Sequence, residues 1–361
     1  MTTQPATVTI DPAEAEAFAG RMLQVVNDAV LGLVISLGQQ TGLIDRLAEL
    51  PPSTSEQIAT AAGFNERYVR EWLGAMVTGR IVDYDPTTRT YSLPPAHAAF
   101  LTTAAGPDNI GYFTRYIAVL AGVESRIVEC FRTSGGVGYD GFAGFQEVQG
   151  GETRSVYDAT LLQRTVPSIP GLTEKLTAGI DVADIGCGQG HAINVLAGAF
   201  PKSRFTGYDF SDDGLAAARA EASALGLTNA RFVAQDVAKL DVSGAYDLIT
   251  AFDAIHDQVA PRSVLANIRR ALRPGGTFLM VDIAASSNLE ENIDHPLGPA
   301  FYGVSLMHCM TVSLAHGGEG LGTMWGDQKA RELLAEAGFN SVGLVTIEGD
   351  EFNNYYVCRT N

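Results

Sequence analysis

His256 lies in Phe252-Asp253-Ala254-Ile255-His256-Asp257, directly after the apolar run Tyr246–Ala251 that reads as a buried strand. An imidazole beside carboxylates is general-base chemistry. A neutral ring accepts a hydroxyl proton near neutral pH, and the adjacent carboxylate of Asp257 stands ready to orient it. A second group lies upstream, in Val182-Ala183-Asp184-Ile185-Gly186-Cys187-Gly188-Gln189-Gly190. Apolar residues to Ile185 make a strand, the three alternating glycines make a turn, and a helix starts near His191. Such a loop lets the backbone approach a ligand, and the helix N-terminus offers it free N–H groups. Asp209 follows Gly190 by 19 residues and closes the next strand. That is near the distance at which an acid meets ribose hydroxyls in a nucleotide-binding βαβ unit. The bland alternatives are a tight structural turn for the glycines and, for His256, a helix cap or an indirect ligand contact.

These residues need a scaffold. From Asp181 onward, strands are predicted at 182–186, 204–208, 230–235, 246–252, 277–283, 342–348 and 354–359. Helices alternate with them at 192–199, 214–225, 261–272 and 327–337, which predicts a parallel sheet covered on both faces. Ligands of such sheets bind at the carboxyl ends of the strands, so Asp184, Asp209, Asp236 and Asp253 fall along one rim.

Residues 1–10 read as a disordered tail. Residues 11–105 open with the helix start Asp11-Pro12-Ala13-Glu14, and the apolar segment 30–37 reads as a helix buried in a core or against a partner subunit. Helices at 43–50, 54–62 and 66–78, then a hairpin around Asp85-Pro86-Thr87-Thr88-Arg89, make a winged helix. Residues 106–170 read as a helical linker. It holds one long helix over 110–131, a glycine-rich loop over 134–151 carrying Tyr139, Phe142 and Phe145, and a helix over 155–166. Residues 171–361 are the ligand-binding domain. Within it, 284–325 is an apolar and partly pliable insertion on the ligand side.

The net charge is -17 and neither half of the chain is basic, which argues against a nucleic-acid or anionic-membrane partner. From Ser53 to Pro94 there are four arginines against five acids, so the winged helix has no cationic face for phosphates. The four cysteines stand apart, at neither metal nor disulfide-framework spacing. The first ten residues lack a signal-peptide pattern, and Ala29–Leu37 is short for a membrane span; a cytoplasmic protein is expected.

The glycine spacing is G-x-G-x-G, not the G-x-G-x-x-G of dinucleotide sites. With the acid Asp184 ahead of it, it resembles motif I of the class I S-adenosylmethionine (SAM) methyltransferases. Later segments match that family in order: Asp209, Ala234-Gln235-Asp236-Val237, Tyr246-Asp247-Leu248-Ile249, Leu272-Arg273-Pro274-Gly275-Gly276-Thr277, and Gly338-Phe339 before a final hairpin. The resemblance implies an α/β, Rossmann-like seven-stranded domain behind an α-helical winged-helix domain. It implies SAM as cofactor and S-adenosylhomocysteine as product, with cofactor contacts at Asp184, Gly186, Cys187, Gly188, Gly190, Asp209, Phe210, Asp236, Val237, Phe252 and Asp253. The fusion is similar to small-molecule O-methyltransferases, in which the winged helix dimerises subunits and closes the acceptor pocket. In that family the place of His256 is the catalytic base and an acid near Asp282 orients it. Gln258 departs from the tryptophan found there. A metal is not expected, since Ile283 stands where metal-dependent relatives carry an asparagine. Tyr139, Phe301, Tyr302, Met307 and Trp325 are candidates for the acceptor wall. The contrasting reading is a DNA-binding regulator that senses SAM.

Overall fold

The computed structural model describes residues 10–359. Residues up to Ala118 and residues from Val119 form two compact units. The first begins with α1 (Pro12–Thr41), capped by Asp11, whose Oδ1 accepts from the Ala13 N–H at 2.9 Å. The sequence read the start at Asp11 and the apolar segment 30–37 as helical, with 30–37 buried in a core or against a partner subunit. Both belong to one helix that runs unbroken to Gly42, and on its first half Phe18 and Leu23 are 64% and 68% exposed. Only one side of its second half is anchored, where the Trp72 indole N–H donates to the Val34 carbonyl at 2.9 Å. Because the helix is continuous, an 18-residue stretch reaches a mean hydropathy of 1.4, long and apolar enough to cross a membrane, which the short run 29–37 did not foretell.

The winged helix follows as α2 (Leu43–Glu49), α3 (Ser55–Ala62), α4 (Glu66–Thr78) and the antiparallel pair β1 (Asp83–Asp85) and β2 (Thr90–Ser92). Thr54 and Gln57 form the reciprocal capping box that starts α3. Helix α4 turns Val69, Trp72, Leu73 and Met76 into a core shared with Leu43, Ile44, Leu47 and Ile58. Its outer cations are paired along the helix, Arg67 with Glu71 and Arg70 with Glu66. The short α5 (Pro95–Ala98) comes next.

Residues 110–131 are not one helix. A 3₁₀ turn over Ile110–Phe113 leads into α6 (Thr114–Ala121), and Gly122-Val123 separates it from α7 (Glu124–Thr133). The loop ends earlier than its glycines suggested, because α8 spans Phe145–Thr160 and includes Gly150 and Gly151. Gly150 is there for close approach: a Cβ on it would lie 2.4 Å from the Gln189 side chain. A π-turn (Leu161–Thr165) and α9 (Leu172–Ala178) lead to the sheet.

In chain order the rest is β3 (Asp181–Ile185), α10 (His191–Ala199), β4 (Arg204–Asp209), α11 (Asp212–Ala224), β5 (Ala230–Ala234), β6 (Tyr246–Phe252), α12 (Pro261–Ala271), β7 (Leu272–Ile283), α13 (Gly298–Val304), α14 (Met310–Leu314), α15 (Gly326–Glu336), β8 (Ser341–Ile347) and β9 (Asp350–Arg359). The strands lie in the order β5-β4-β3-β6-β7-β9-β8, all parallel except β9, which is antiparallel to both neighbours. Alternation along the strands feeds two cores. Ile249, Phe278, Met280 and Tyr356 pack on one face with Val264, Ile268 and Leu333; Val182, Leu248, Leu279 and Val357 pack on the other with Ile193, Leu196 and Leu215. The chain order reverses between β3 and β6, the crevice where such sheets bind ligands. The stretch 284–325 is helical in its middle, where α13, a π-turn (Ser305–Cys309) and α14 follow one another without a gap; the part read as pliable, Gly317 to Gly320, lies beyond α14.

Candidate active site

Strand β6 ends at Phe252, and Asp253 turns the chain with a φ of 48°, a left-handed conformation that Asp tolerates better than most residues. Three residues on, His256 is buried, 3% exposed, beside the end of β7. Its Nδ1 donates to Asp282 Oδ1 at 2.7 Å. The same oxygen accepts the Trp325 indole N–H at 3.0 Å and the Ile283 backbone N–H at 2.9 Å. The Trp325 indole thus fixes the carboxylate that fixes the histidine.

The other edge of the ring faces Asp257, with Nε2 3.3 Å from Oδ1, and the Cys309 thiol. Asp257 is held in turn by the Tyr139 hydroxyl, which donates to Oδ2 at 2.8 Å. Burial alone would lower the His256 pKa, but the Asp282 and Asp257 charges outweigh it and raise the pKa well above the ordinary value. The sequence suggested a neutral imidazole near pH 7. Placed between two carboxylates, the resting ring is an imidazolium.

The loop carrying Tyr139 is tied down at two points. The Val137 N–H donates to Thr311 Oγ1 at 2.8 Å, and Tyr139 leans on Phe210 with ring centres 5.2 Å apart. Below them Phe145 stacks on His308 at 3.7 Å, and burial lowers the His308 pKa to about 4, so this histidine stays neutral. His308, Cys309 and Phe145 were not singled out as site residues from sequence. The donor atoms of His256, Asp257 and Cys309 lie within 4.8 Å of one another, as do those of Asp253, His256 and Asp282.

The glycine turn is the second half of the site. Gly186, Gly188 and Gly190 all have positive φ, at 70°, 52° and 69°. Space above Gly188 is open, whereas a Cβ on Gly190 would lie 2.5 Å from Phe232 and 2.6 Å from Ala218. Asp209 braces the turn: Oδ2 accepts from the Gly188 N–H and Oδ1 from the Ser211 N–H, both at 2.8 Å. Asp184 is 3% exposed and accepts from Thr250 Oγ1 at 2.6 Å. Burial, with the Asp209 charge added, raises its pKa to about 7 against the effect of that hydrogen bond.

Residues 29–103 match the Rv2258c-like winged HTH domain, and residues 176–338 match a methyltransferase domain family. The chain is 26% identical over 203 residues to trans-aconitate 2-methyltransferase of Acidovorax ebreus, a match covering 56% of this chain and 71% of that protein. It is 30% identical over 113 residues to fatty-acid O-methyltransferase of Mycolicibacterium smegmatis, covering 31% and 40%. A second Acidovorax relative is spanned over 60% of its length. Human N-acetylserotonin methyltransferase in complex with SAM superposes with a TM-score of 0.67 at 15% identity, covering 98% of this chain and 99% of that one. Mitomycin 7-O-methyltransferase also gives 0.67, at 17% identity, covering 97% and 100%.

The chain carries a methyltransferase domain, the class of enzyme for which the sequence implies SAM as cofactor.

The residues of the methyltransferase fit that cofactor. Asp209 keeps unused lone pairs for ribose hydroxyls after serving two backbone N–H groups. Open space at Gly188 admits a ligand close to the backbone, and a cationic amino group beside Asp184 would restore its ionised form. When bound, the cofactor supplies an electrophilic methyl on a sulfonium. Cys187 packs its sulfur against Gly207 behind the turn. Asp236 is on the rim, but its Oδ1 caps the next turn through the Ala238 N–H at 3.0 Å and its Oδ2 pairs with Lys239 at 2.8 Å. Val237 is buried in the core below. Phe301 packs against His295 and Phe352, the Tyr302 hydroxyl accepts from Asn292, and Met307 lies half-buried in the π-turn. We expect Gly190→Ala to lower stability by about 1–3 kcal/mol through strain and overlap with Phe232. SAM affinity should fall with it. Thermal melting and calorimetry check this; an unchanged melting temperature would mean that the turn relaxes freely.

Proposed function

We propose that the enzyme methylates a hydroxyl oxygen of a small, partly apolar acceptor, with His256 as the base. The observation that carries this reading is the His256–Asp282 pair, 2.7 Å apart at the carboxyl ends of adjacent strands β6 and β7. In-line transfer from a sulfonium needs the nucleophile held close and aligned, and a hydroxyl also needs a proton acceptor. The names of the fatty-acid and mitomycin enzymes support oxygen. Trans-aconitate and fatty acids are carboxylates that need no base, and here the buried histidine favours a hydroxyl instead. Tyr139, Phe301, Tyr302 and Met307 are the proposed acceptor contacts. Incubation with methyl-labelled SAM and fractionated cell extract, then identification of the labelled product, tests the reading. Label found only on nitrogen or carbon would sink it.

The partner proposed for the exposed apolar side of α1 is a second copy of the chain, in the cytoplasm. Phe18, Leu23, Val26 and Val30 lie more than half exposed along it. Light scattering should give a dimer, and substituting Leu23 and Val26 together by Glu should yield monomers. No salt-sensitive shift of duplex DNA is expected, because the cations of α4 are paired with its own acids. A monomeric wild type or a salt-dependent shift would overturn this assignment.

A further inference from the structure

Beside the histidine cluster lies a cavity of about 100 Å³, bordered by Glu152, Tyr157, Phe252, Asp253, Asn353 and Tyr355. It shares Asp253 with the Asp253, His256 and Asp282 group, whose donor atoms lie within 4.8 Å of one another. Two side chains on its wall present buried oxygens that have no hydrogen-bond partner: Asp253 Oδ1 and Asn353 Oδ1. The orientation of Asn353 is set by Asp350, since Nδ2 donates to both Asp350 oxygens at 3.1 Å and the carbonyl oxygen must point the other way. Tyr355 is likewise committed, its hydroxyl donating to Asp350 Oδ2 at 2.6 Å. No Lys, Arg or His is among the described residues that line the cavity.

A buried acceptor without a partner is unfavourable, and two of them on one wall require a donor. Water fills such a space when it is polar, but Phe252 and Asp253, read from the sequence as cofactor contacts, here border a cavity beside the proposed base, where an acceptor molecule can enter. The φ of 48° at Asp253 aims its carboxyl from the strand end at some strain, a feature that gathers at functional sites. Burial and the Asp282 charge raise the Asp253 pKa to about 8 against the nearby His256 charge, so above that pH the carboxyl is an ionised acceptor whose Oδ1 has no partner. An incoming carboxylate would meet the opposite: two acceptors and acidic neighbours, with the nearby His256 cation already paired to Asp282 at 2.7 Å.

We propose that this cavity holds a hydrogen-bond-donating group of the acceptor, a hydroxyl or an ammonium, and turns carboxylates away, an inference that rests on the methyltransferase reading above.

Butylamine, butan-1-ol and butanoate carry one chain and three head groups. Their binding to the whole protein is measured by ligand-observed NMR at a pH about one unit above the Asp253 value of about 8, with and without S-adenosylhomocysteine. At least one of the two donors should bind about tenfold or more tighter than butanoate. Whichever donor wins tells whether the natural group is charged or neutral. Asp253→Asn keeps the volume and tolerates the left-handed backbone, and it should narrow the preference to about threefold or less. Asn353→Ala removes the second acceptor and should weaken the donors while leaving butanoate unchanged, which keeps the test valid if Asp253→Asn folds poorly. Butanoate binding as well as the donors, no probe binding, or an unchanged preference in both variants overturns the proposal. If the donors bind but S-adenosylhomocysteine does not, the methyltransferase reading fails while the chemistry of the cavity stands.

Discussion

His256→Gln is expected to lower turnover on a hydroxyl acceptor by about 10²–10⁴, the usual worth of a positioned base. SAM affinity should stay nearly constant, because the ring's hydrogen bonds go to Asp282 and its neighbours and not to the glycine turn. The pH profile of the wild type gives the sharper readout. A base must be neutral, yet Asp282 and Asp257 hold this ring protonated by raising its pKa. The limb of kcat/KM that reports it should therefore rise with pH through a value well above the ordinary histidine range. Asp282→Asn removes the largest raising influence and should move the limb down. Stability follows the same linkage with the sign of a raised histidine. The contribution is complete below the unfolded pKa of about 6.5 and is lost as pH rises through the folded value. The wild type should lose more melting temperature than His256→Gln between pH 6 and 9. Normal turnover by His256→Gln on a hydroxyl acceptor would make the residue structural and leave proximity as the sole source of rate.

What the sequence made legible was local or repeated in a known order. The cap at Thr54, the alternating strands and the turn at Gly186, Gly188 and Gly190 depend on neighbours a few residues away, and each lies where those neighbours put it. The pairing of His256 with Asp282 became visible only through family resemblance, since the two are joined by folding β6 beside β7. The rest of the site was hidden for the same reason. Tyr139 reaches Asp257 across 118 positions, and no periodicity announces such a contact. Trp325 read as a pocket wall because it is aromatic and lies in an apolar stretch; its indole N–H is committed to a carboxylate. Thr250 and Cys309 sit inside apolar runs, and only the fold turns one to Asp184 and the other to His256. Gly150 misled in the opposite direction, because a glycine that permits close packing inside a helix reads as a loop. The charge state of His256 followed from none of its neighbours in sequence except Asp257.

Asp209→Ala should weaken SAM by about 2–3 kcal/mol, roughly 30- to 150-fold in Kd, the loss of charge-assisted hydrogen bonds to a diol. The structure adds a reason for the upper part of that range. The carboxylate also accepts from the Gly188 and Ser211 N–H groups, so alanine removes the ribose acceptor and loosens the turn in one change. Asp209→Asn separates the two effects. One amide oxygen still accepts from the backbone, while the NH₂ group faces an N–H that wanted an acceptor, so binding should fall between wild type and alanine. Burial raises the Asp209 pKa against three backbone hydrogen bonds that favour the charge, so the wild-type affinity should fall at acidic pH sooner than for an exposed aspartate. Asp209→Ala should lose this pH dependence. Calorimetry with SAM and S-adenosylhomocysteine measures all three proteins, and NAD, whose loop spacing is absent here, should bind none of them. Tight SAM binding by Asp209→Ala would place the ribose elsewhere on the rim and return Asp209 to the single task of bracing the glycine turn.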